Sequence, residues 1–163
     1  MGSGMSKKKR RAVAESVHDH KYHLVNGERG PFSWLCVYCG APADTKEHYP
    51  PISRVSDYES LGGVIFIKFP CCSQCNSIAG SHLDDTVLDR IERVKDRMQQ
   101  KWNKRFKAEE WDDEEFEELG RNLQSFVATE TAKDLNLKKK IEYYVGVDML
   151  IDKIHMIYGD DYE

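Results

Sequence analysis

The sequence predicts an α+β chain: a small zinc-stapled core of short strands and one short helix, followed by a mostly α-helical C-terminal half. Three observations carry this. Two Cys-x-x-Cys pairs, Cys36–Cys39 and Cys72–Cys75, stand 32 residues apart and supply four thiolates, enough to close a tetrahedral zinc site. Between them, Val64-Ile-Phe-Ile-Lys-Phe69 is rich in β-branched and aromatic residues, the signature of a strand. After Ser81, apolar residues return at steps of three and four, which places them on one face of a helix.

Taken in order, residues 1–11 read as a cloning remnant and a basic tail, Lys7-Lys-Lys-Arg-Arg11, expected to be disordered. Residues 12–24 are compatible with a short helix, and Asn26-Gly27 and Gly30-Pro31 mark turns. Phe32–Val37 reads as a strand feeding the first Cys pair, with Gly40 supplying the tight turn after it. Thr45–His48 ends a second strand, stopped by Pro50-Pro51, and residues 52–63 read as a loop. Pro70 is expected to end the strand over 64–69. The second Cys pair then opens a helix at about Ser73–Ala79, closed by Gly80. Ser81 is a candidate cap for the long helix, whose stripe is Val87, Ile91, Val94, Met98, Trp102 and Phe106. Asp112 with Glu115 makes a capping-box signature for a helix presenting Phe116, Leu119, Leu123, Phe126 and Val127. A last helical region over about 134–158 is interrupted or bent near Gly146 and buries Leu150, Ile151, Ile154, Ile157 and Tyr158. The expected units are thus a tail at 1–11, a core at 12–81 and a helical extension at 82–163.

The totals bound the function. Hydrophobic residues make up 40% and charged residues 32% of the 163, a mix that suits a modest core carrying long solvated helices. No apolar run approaches the roughly 18 residues of a membrane span, and no apolar segment follows the basic start as a signal peptide would require. Five cysteines without such a signal point to a reducing, cytoplasmic setting in which thiols bind metal. The net charge of −4 argues against a generic nucleic-acid binder, but its distribution matters more. Residues 82–107 carry 8 basic and 5 acidic side chains, whereas 108–118 carry 8 acidic and no basic ones. The acidic block reads as a solvated helix start, with mimicry of nucleic acid as the sharper alternative.

Chemistry concentrates between the Cys pairs. Cys71 could replace Cys72 as ligand, although a two-residue spacer to Cys75 suits a knuckle better. Glu47-His48 follows the first pair, and Asn76 follows the last cysteine directly. Histidine suits a general base near neutral pH, and a hard ion such as Mg²⁺ or Mn²⁺ takes carboxylate and amide oxygens. Four thiolates suit zinc instead. His82 reads as an ordinary residue at a helix start. His18, His20 and His23 read as a solvated helix face.

The ordered set Cys36–Cys39, Glu47-His48-Tyr-Pro50 and Cys72–Cys75-Asn76 resembles the HNH (ββα-metal) endonuclease family, in its branch with a Cys-four zinc. The layout is similar to that of recombination endonuclease VII-like proteins and covers roughly residues 33–82. The resemblance implies a one-metal hydrolysis of phosphodiester bonds in nucleic acid, with DNA as the expected substrate. It implies that His48 is the base, that Glu47 and Asn76 ligate Mg²⁺ or Mn²⁺, and that Cys36, Cys39, Cys72 and Cys75 hold structural zinc. The family's middle asparagine is replaced by Ile67 or Lys68. The helical half is expected to serve substrate selection or homodimerisation. The alternative is a catalytically silent zinc module that binds nucleic acid or a protein partner.

Overall fold

The computed structural model describes residues 6, 12–13, 16–25, 34–105 and 113–159. The basic tail Lys7–Arg11, the turns at 26–31, Phe106 and Asp112 lie outside them. The described chain is mixed α+β, with a three-stranded sheet and a mostly helical C-terminal half. Strands β1 (His23–Leu24), β2 (Thr45–Tyr49) and β3 (Ile67–Cys71) are ordered β1-β3-β2. β1 runs parallel to β3, while β2 is antiparallel to it with Glu47 opposite Phe69 and His48 opposite Lys68.

Three expectations shift around the sheet. The described part of Phe32–Val37 makes only an isolated bridge, Leu35 to Pro42, before turning into the knuckle. Of residues 12–24, expected as a short helix, the described residues 12–13 and 16–18 are helical, after which the chain passes into a 3₁₀ turn, Asp19–Lys21, and then into β1. Pro70 does not end β3, which runs through it to Cys71. The Pro70 carbonyl accepts from Val37 N at 3.1 Å, on the knuckle side. The nitrogen of a strand residue points the same way as its carbonyl, so the missing N–H costs β2 no ladder bond.

The segment expected to be a loop at 52–63 contains a 3₁₀ turn, Ile52–Arg54, and helix α1 (Val55–Glu59), which buries Val55 and Tyr58. Helix α2 (Ser73–Ala79) follows β3 where the sequence places it, and Gly80 ends it at φ 59°. Helix α3 (Val87–Arg105) begins later than Ser81 suggests. Thr86 and Asp89 cap it reciprocally: Asp89 N donates to Thr86 Oγ1 at 3.0 Å, and Thr86 N donates to Asp89 Oδ2 at 2.9 Å. A threonine side chain and an acidic residue three positions on satisfy each other's free amides. The stripe Val87, Ile91, Val94 and Met98 is buried as expected.

Helices α4 (Asp113–Glu118), α5 (Arg121–Ile141) and α6 (Val145–Tyr158) complete the chain. On α5, Leu123 and Phe126 are exposed rather than covered. The last helical region is interrupted at 142–144, close to Gly146 as expected. Gly146 lies inside α6 because a Cβ there would sit 2.8 Å from the Val37 carbonyl oxygen. Val147, Leu150 and Ile154 of α6 join the core, whereas Ile157 is exposed. One core therefore unites the sheet, α2, α3 and α6 around Ile67, Phe69 and Tyr38.

Candidate functional site

The first knuckle is a tight turn, with Cys39 N and Gly40 N both donating to the Cys36 carbonyl. Gly40 has φ 67°, and a side chain there would meet the Tyr143 ring at 2.9 Å, so glycine is required on both counts. The second knuckle is the start of α2, where Asn76 N donates to the Cys72 carbonyl and Cys75 N donates to the Cys72 sulfur. Together the turns bring the sulfurs of Cys36, Cys39, Cys72 and Cys75 within 4.8 Å of one another.

This donor set fits zinc. Zinc–sulfur bonds of about 2.3 Å at tetrahedral angles separate the sulfurs by roughly 3.8 Å, and Cys39 Sγ lies 3.7 Å from Cys72 Sγ. The electrostatics agree. Hydrogen bonds from Cys36, Cys39 and Cys75 pull the Cys72 thiol far below its ordinary range. Contacts with Cys36 first, and with Cys72 among the others, push Cys39 and Cys75 up. A dication bound here would replace these sulfur–sulfur contacts with four metal–sulfur bonds. Cys71 is buried beside the cluster but outside it, with its sulfur 4.0 Å from Cys36 Sγ and donating to the Cys72 carbonyl.

The residues expected to hold a second ion are arranged differently. Successive side chains of a strand point to opposite faces. Glu47 and Tyr49 of β2 therefore face inward and are buried, whereas His48 faces out. The Glu47 carboxylate, 2% exposed, accepts from Arg90 Nε at 2.7 Å and also from Nη2. Arg90 gives its remaining donors to Asp84, Gly80 O and His82 O. All five guanidinium N–H groups are thereby used. Arg93 closes the network on Asp84 at 2.6 Å and on Ala79 O at 3.0 Å. Burial raises Asp84, but the hydrogen bonds from Arg93 and Arg90 outweigh it and hold the carboxyl below its ordinary value.

A buried carboxylate committed to an arginine does not fit a hydrated hard ion, which needs oxygen ligands reachable by water and phosphate. Glu47 instead joins β2 to α3 and to the chain after α2. Asn76 is also engaged: its amide nitrogen donates to Thr45 Oγ1 at 3.2 Å and to Lys46 O at 3.3 Å, tying α2 to β2. The structure does not bring Glu47 and His48 onto one face.

On the outer face His48 has partners the sequence reading missed. Its Nε2 lies 3.1 Å from Asp19 Oδ1, and Lys68 Nζ lies 2.6 Å from Asp19 Oδ2. Tyr22 presents its ring edge-on to the imidazole at 4.9 Å. The signal for Lys68 was its alternation with Ile67 and Phe69, which aims it outward from β3. Nothing in the sequence ties Asp19 to a residue 29 positions on. Lys95 was also missed. Buried on α3, it donates to the carbonyls of Tyr38 (2.6 Å), Ile141 (3.2 Å) and Tyr143, joining the first knuckle to the α5–α6 turn. Arg90 and Lys95 were legible in principle, since both lie on the apolar stripe of α3, where a cation demands a buried partner.

A cleft of about 510 Å³ opens beside the thiols, bordered by Ser73, Ser77, Lys101 and Lys140. No helix among the described residues is long and apolar enough to cross a membrane. In comparison with known proteins, no family model, no curated protein and no solved structure matches the chain.

Proposed function

We propose that this chain is a nuclease that hydrolyses phosphodiester bonds in nucleic acid, with DNA as the substrate, on a zinc-stapled ββα unit made of β2, β3 and α2. The observation that carries the reading is the pairing of His48 with Asp19 on the outer face of β2. A histidine backed by a carboxylate is equipped to take a proton and to hold the resulting charge. In the reaction, water attacks phosphorus while its proton passes to the imidazole. The P–O bond breaks with its electron pair on the leaving oxygen, which takes a proton from solvent. The Cys-four cluster supports the reading as a scaffold: β2, β3 and a seven-residue helix bury too little alone to hold a site in place. Lys101 and Lys140, beside the cluster, offer charge to a phosphate backbone.

Glu47 has no ligand role in this proposal, because Arg90 holds it. That ion pair favours a second reading, in which the chain is a catalytically silent zinc module that binds nucleic acid. Supercoiled plasmid incubated with the zinc-loaded protein, with and without added Mg²⁺ or Mn²⁺, separates the two. Nicking by the wild type and its loss in His48→Ala is the expected result. Plasmid binding without nicking under every ion condition would leave the silent module.

A further inference from the structure

We propose that Lys95 is the countercharge of the zinc-loaded cysteine cluster, and that through this one ammonium group metal binding and docking of the α5–α6 turn strengthen each other. Lys95 is a buried cation without a carboxylate. It lies on α3 and is 5% exposed. Its N–H groups go to backbone carbonyls: Tyr38 O at 2.6 Å, Ile141 O at 3.2 Å and Tyr143 O, with Lys140 O at 3.5 Å beside them. The Tyr144 ring lies 4.4 Å from its nitrogen. All of these partners are neutral. Arg90, on the same helix, instead has Glu47 and Asp84 to balance it. A buried ion is costly unless an opposite charge accompanies it. For Lys95 that charge comes from sulfur: burial pulls the ammonium below the ordinary lysine value, and Cys39, then Cys75 and Cys36, pull it back up. Four thiolates around one dication keep a net negative charge, whereas four neutral thiols carry none. Metal binding therefore supplies the counter-ion that makes the Lys95 position favourable.

The same ammonium joins two distant parts of the chain. Tyr38 belongs to the first knuckle, while Ile141 ends α5 and Tyr143 lies in the turn before α6. The turn also closes directly on the knuckle backbone. A Cβ at Gly40 would lie 2.9 Å from the Tyr143 ring, and one at Gly146 would lie 2.8 Å from the Val37 carbonyl oxygen. Contacts this close leave the knuckle little room to rearrange without displacing the turn. Coupling between two sites is reciprocal. Zinc favours the docked turn by the same factor by which the docked turn favours zinc, so the metal sets the attachment of the helical half as well as the shape of the hairpin.

The test measures zinc affinity of the full chain by competition with a chelator. Lys95→Met should lower it by about 10-fold or more, within the roughly 5–150-fold span of coupled sites. Gly146→Ala should lower it too, although residue 146 supplies no ligand. A metal-supported fold loses apparent zinc affinity with any loss of stability, so Val55→Ala is the control: Val55 is buried on α1, away from the knuckles, and affinity losses are compared for equal losses of stability in urea. Spectra (¹H–¹⁵N) of the zinc-loaded wild type should show a lysine ammonium shielded from exchange and absent from Lys95→Met. The proposal is overturned by an affinity loss in Lys95→Met no larger than the control gives for the same loss of stability. It is overturned equally by a Gly146→Ala variant whose turn exchanges faster while zinc binds as in the wild type, or by a wild type without the shielded ammonium. That wild-type spectrum decides even where a variant fails to fold.

Discussion

The two faces of β2 do different work. Inward, Glu47 and Tyr49 are buried. Glu47 neutralises Arg90, while the Tyr49 hydroxyl donates to the carbonyls of Asp84 and Asp85 at 3.2 and 2.8 Å. Outward, His48 meets the half-exposed Asp19 carboxylate, which also pairs with Lys68. Glu47 and His48 are neighbours in sequence, yet the period-two geometry of a strand puts them on opposite sides of the sheet. A dipeptide that reads as one catalytic unit is thus split between a buried carboxylate that holds the fold and an outward imidazole, the group proposed as the base. Glu47 is closer in role to the four cysteines than to the histidine beside it. This contrast can be broken at the inner face, at the outer face, or at the staple that supports both.

The staple carries the largest effect. Cys39→Ser should abolish zinc binding and unfold the chain, because zinc supplies on the order of 10 kcal/mol in small domains. Cys71→Ser should keep one zinc per chain, since its sulfur lies outside the cluster. Metal content and circular dichroism of the two variants check this, and equal zinc loss in both would reassign the ligands.

The inner face comes next. Glu47→Ala leaves the buried Arg90 charge without its main partner and should cost about 3–5 kcal/mol in urea denaturation, with zinc retained. A variant of unchanged stability that has lost only its response to Mg²⁺ would instead restore Glu47 to the ion-ligand role. The same network has a pH signature. Asp84 is held below its ordinary carboxyl value of 3.8, so it stabilises the fold above that pH and ceases to do so as pH falls through the lowered value. The stability gap between wild type and Asp84→Asn should therefore shrink on acidification from about pH 5 to pH 3.

How much of this was legible in the sequence follows from which interactions are local. The Cys pairs, α2 and the long stripe of α3 were readable because their spacing is itself the signal: two residues within a knuckle, three or four along a helix face. The strand at β3 was found but misplaced, because proline marks a strand end only when its nitrogen faces a partner strand, and Pro70 faces the knuckle. The site was legible in composition but not in arrangement. His48 lies on β2 and Asn76 on α2, beside the stapled hairpin, and the roles expected of them remain those of the proposal. The assignment of Glu47 to an ion depended on whether a cation from α3, 43 residues later, reaches it first. Asp19 and Lys95 were missed for the same reason, since each acts across the fold on groups far away in sequence. The exposed Leu123 and Phe126 show the converse limit: helical periodicity reports an apolar face without saying what covers it.

Lys95 tests whether the first knuckle depends on the helical half. Lys95→Met removes the donor shared by the carbonyls of Tyr38, Ile141 and Tyr143. Unsatisfied buried carbonyls should cost about 1–3 kcal/mol, and hydrogen exchange should speed up around 142–147 while zinc stays bound. Protection unchanged in that turn would mean that α6 docks through its apolar face alone.

The outer face should show the smallest change in stability and the largest change in chemistry. His48→Ala removes a partly exposed ring that contacts Asp19 and the edge of Tyr22. No staple and no buried charge is lost, so the change in unfolding free energy should stay near ~1 kcal/mol or below, with zinc content unaltered. Plasmid nicking, by contrast, should fall by roughly 10²–10⁴-fold, the usual contribution of a general base. The pair of variants then separates the faces: Glu47→Ala weakens the fold before it touches chemistry, and His48→Ala removes chemistry from an intact fold. If His48→Ala melts as early as Glu47→Ala, the outer face is structural too and the histidine belongs to the packing of β1 and its preceding turn. If it stays folded and nicks plasmid at the wild-type rate, the base lies elsewhere and the division between the faces of β2 has no catalytic meaning.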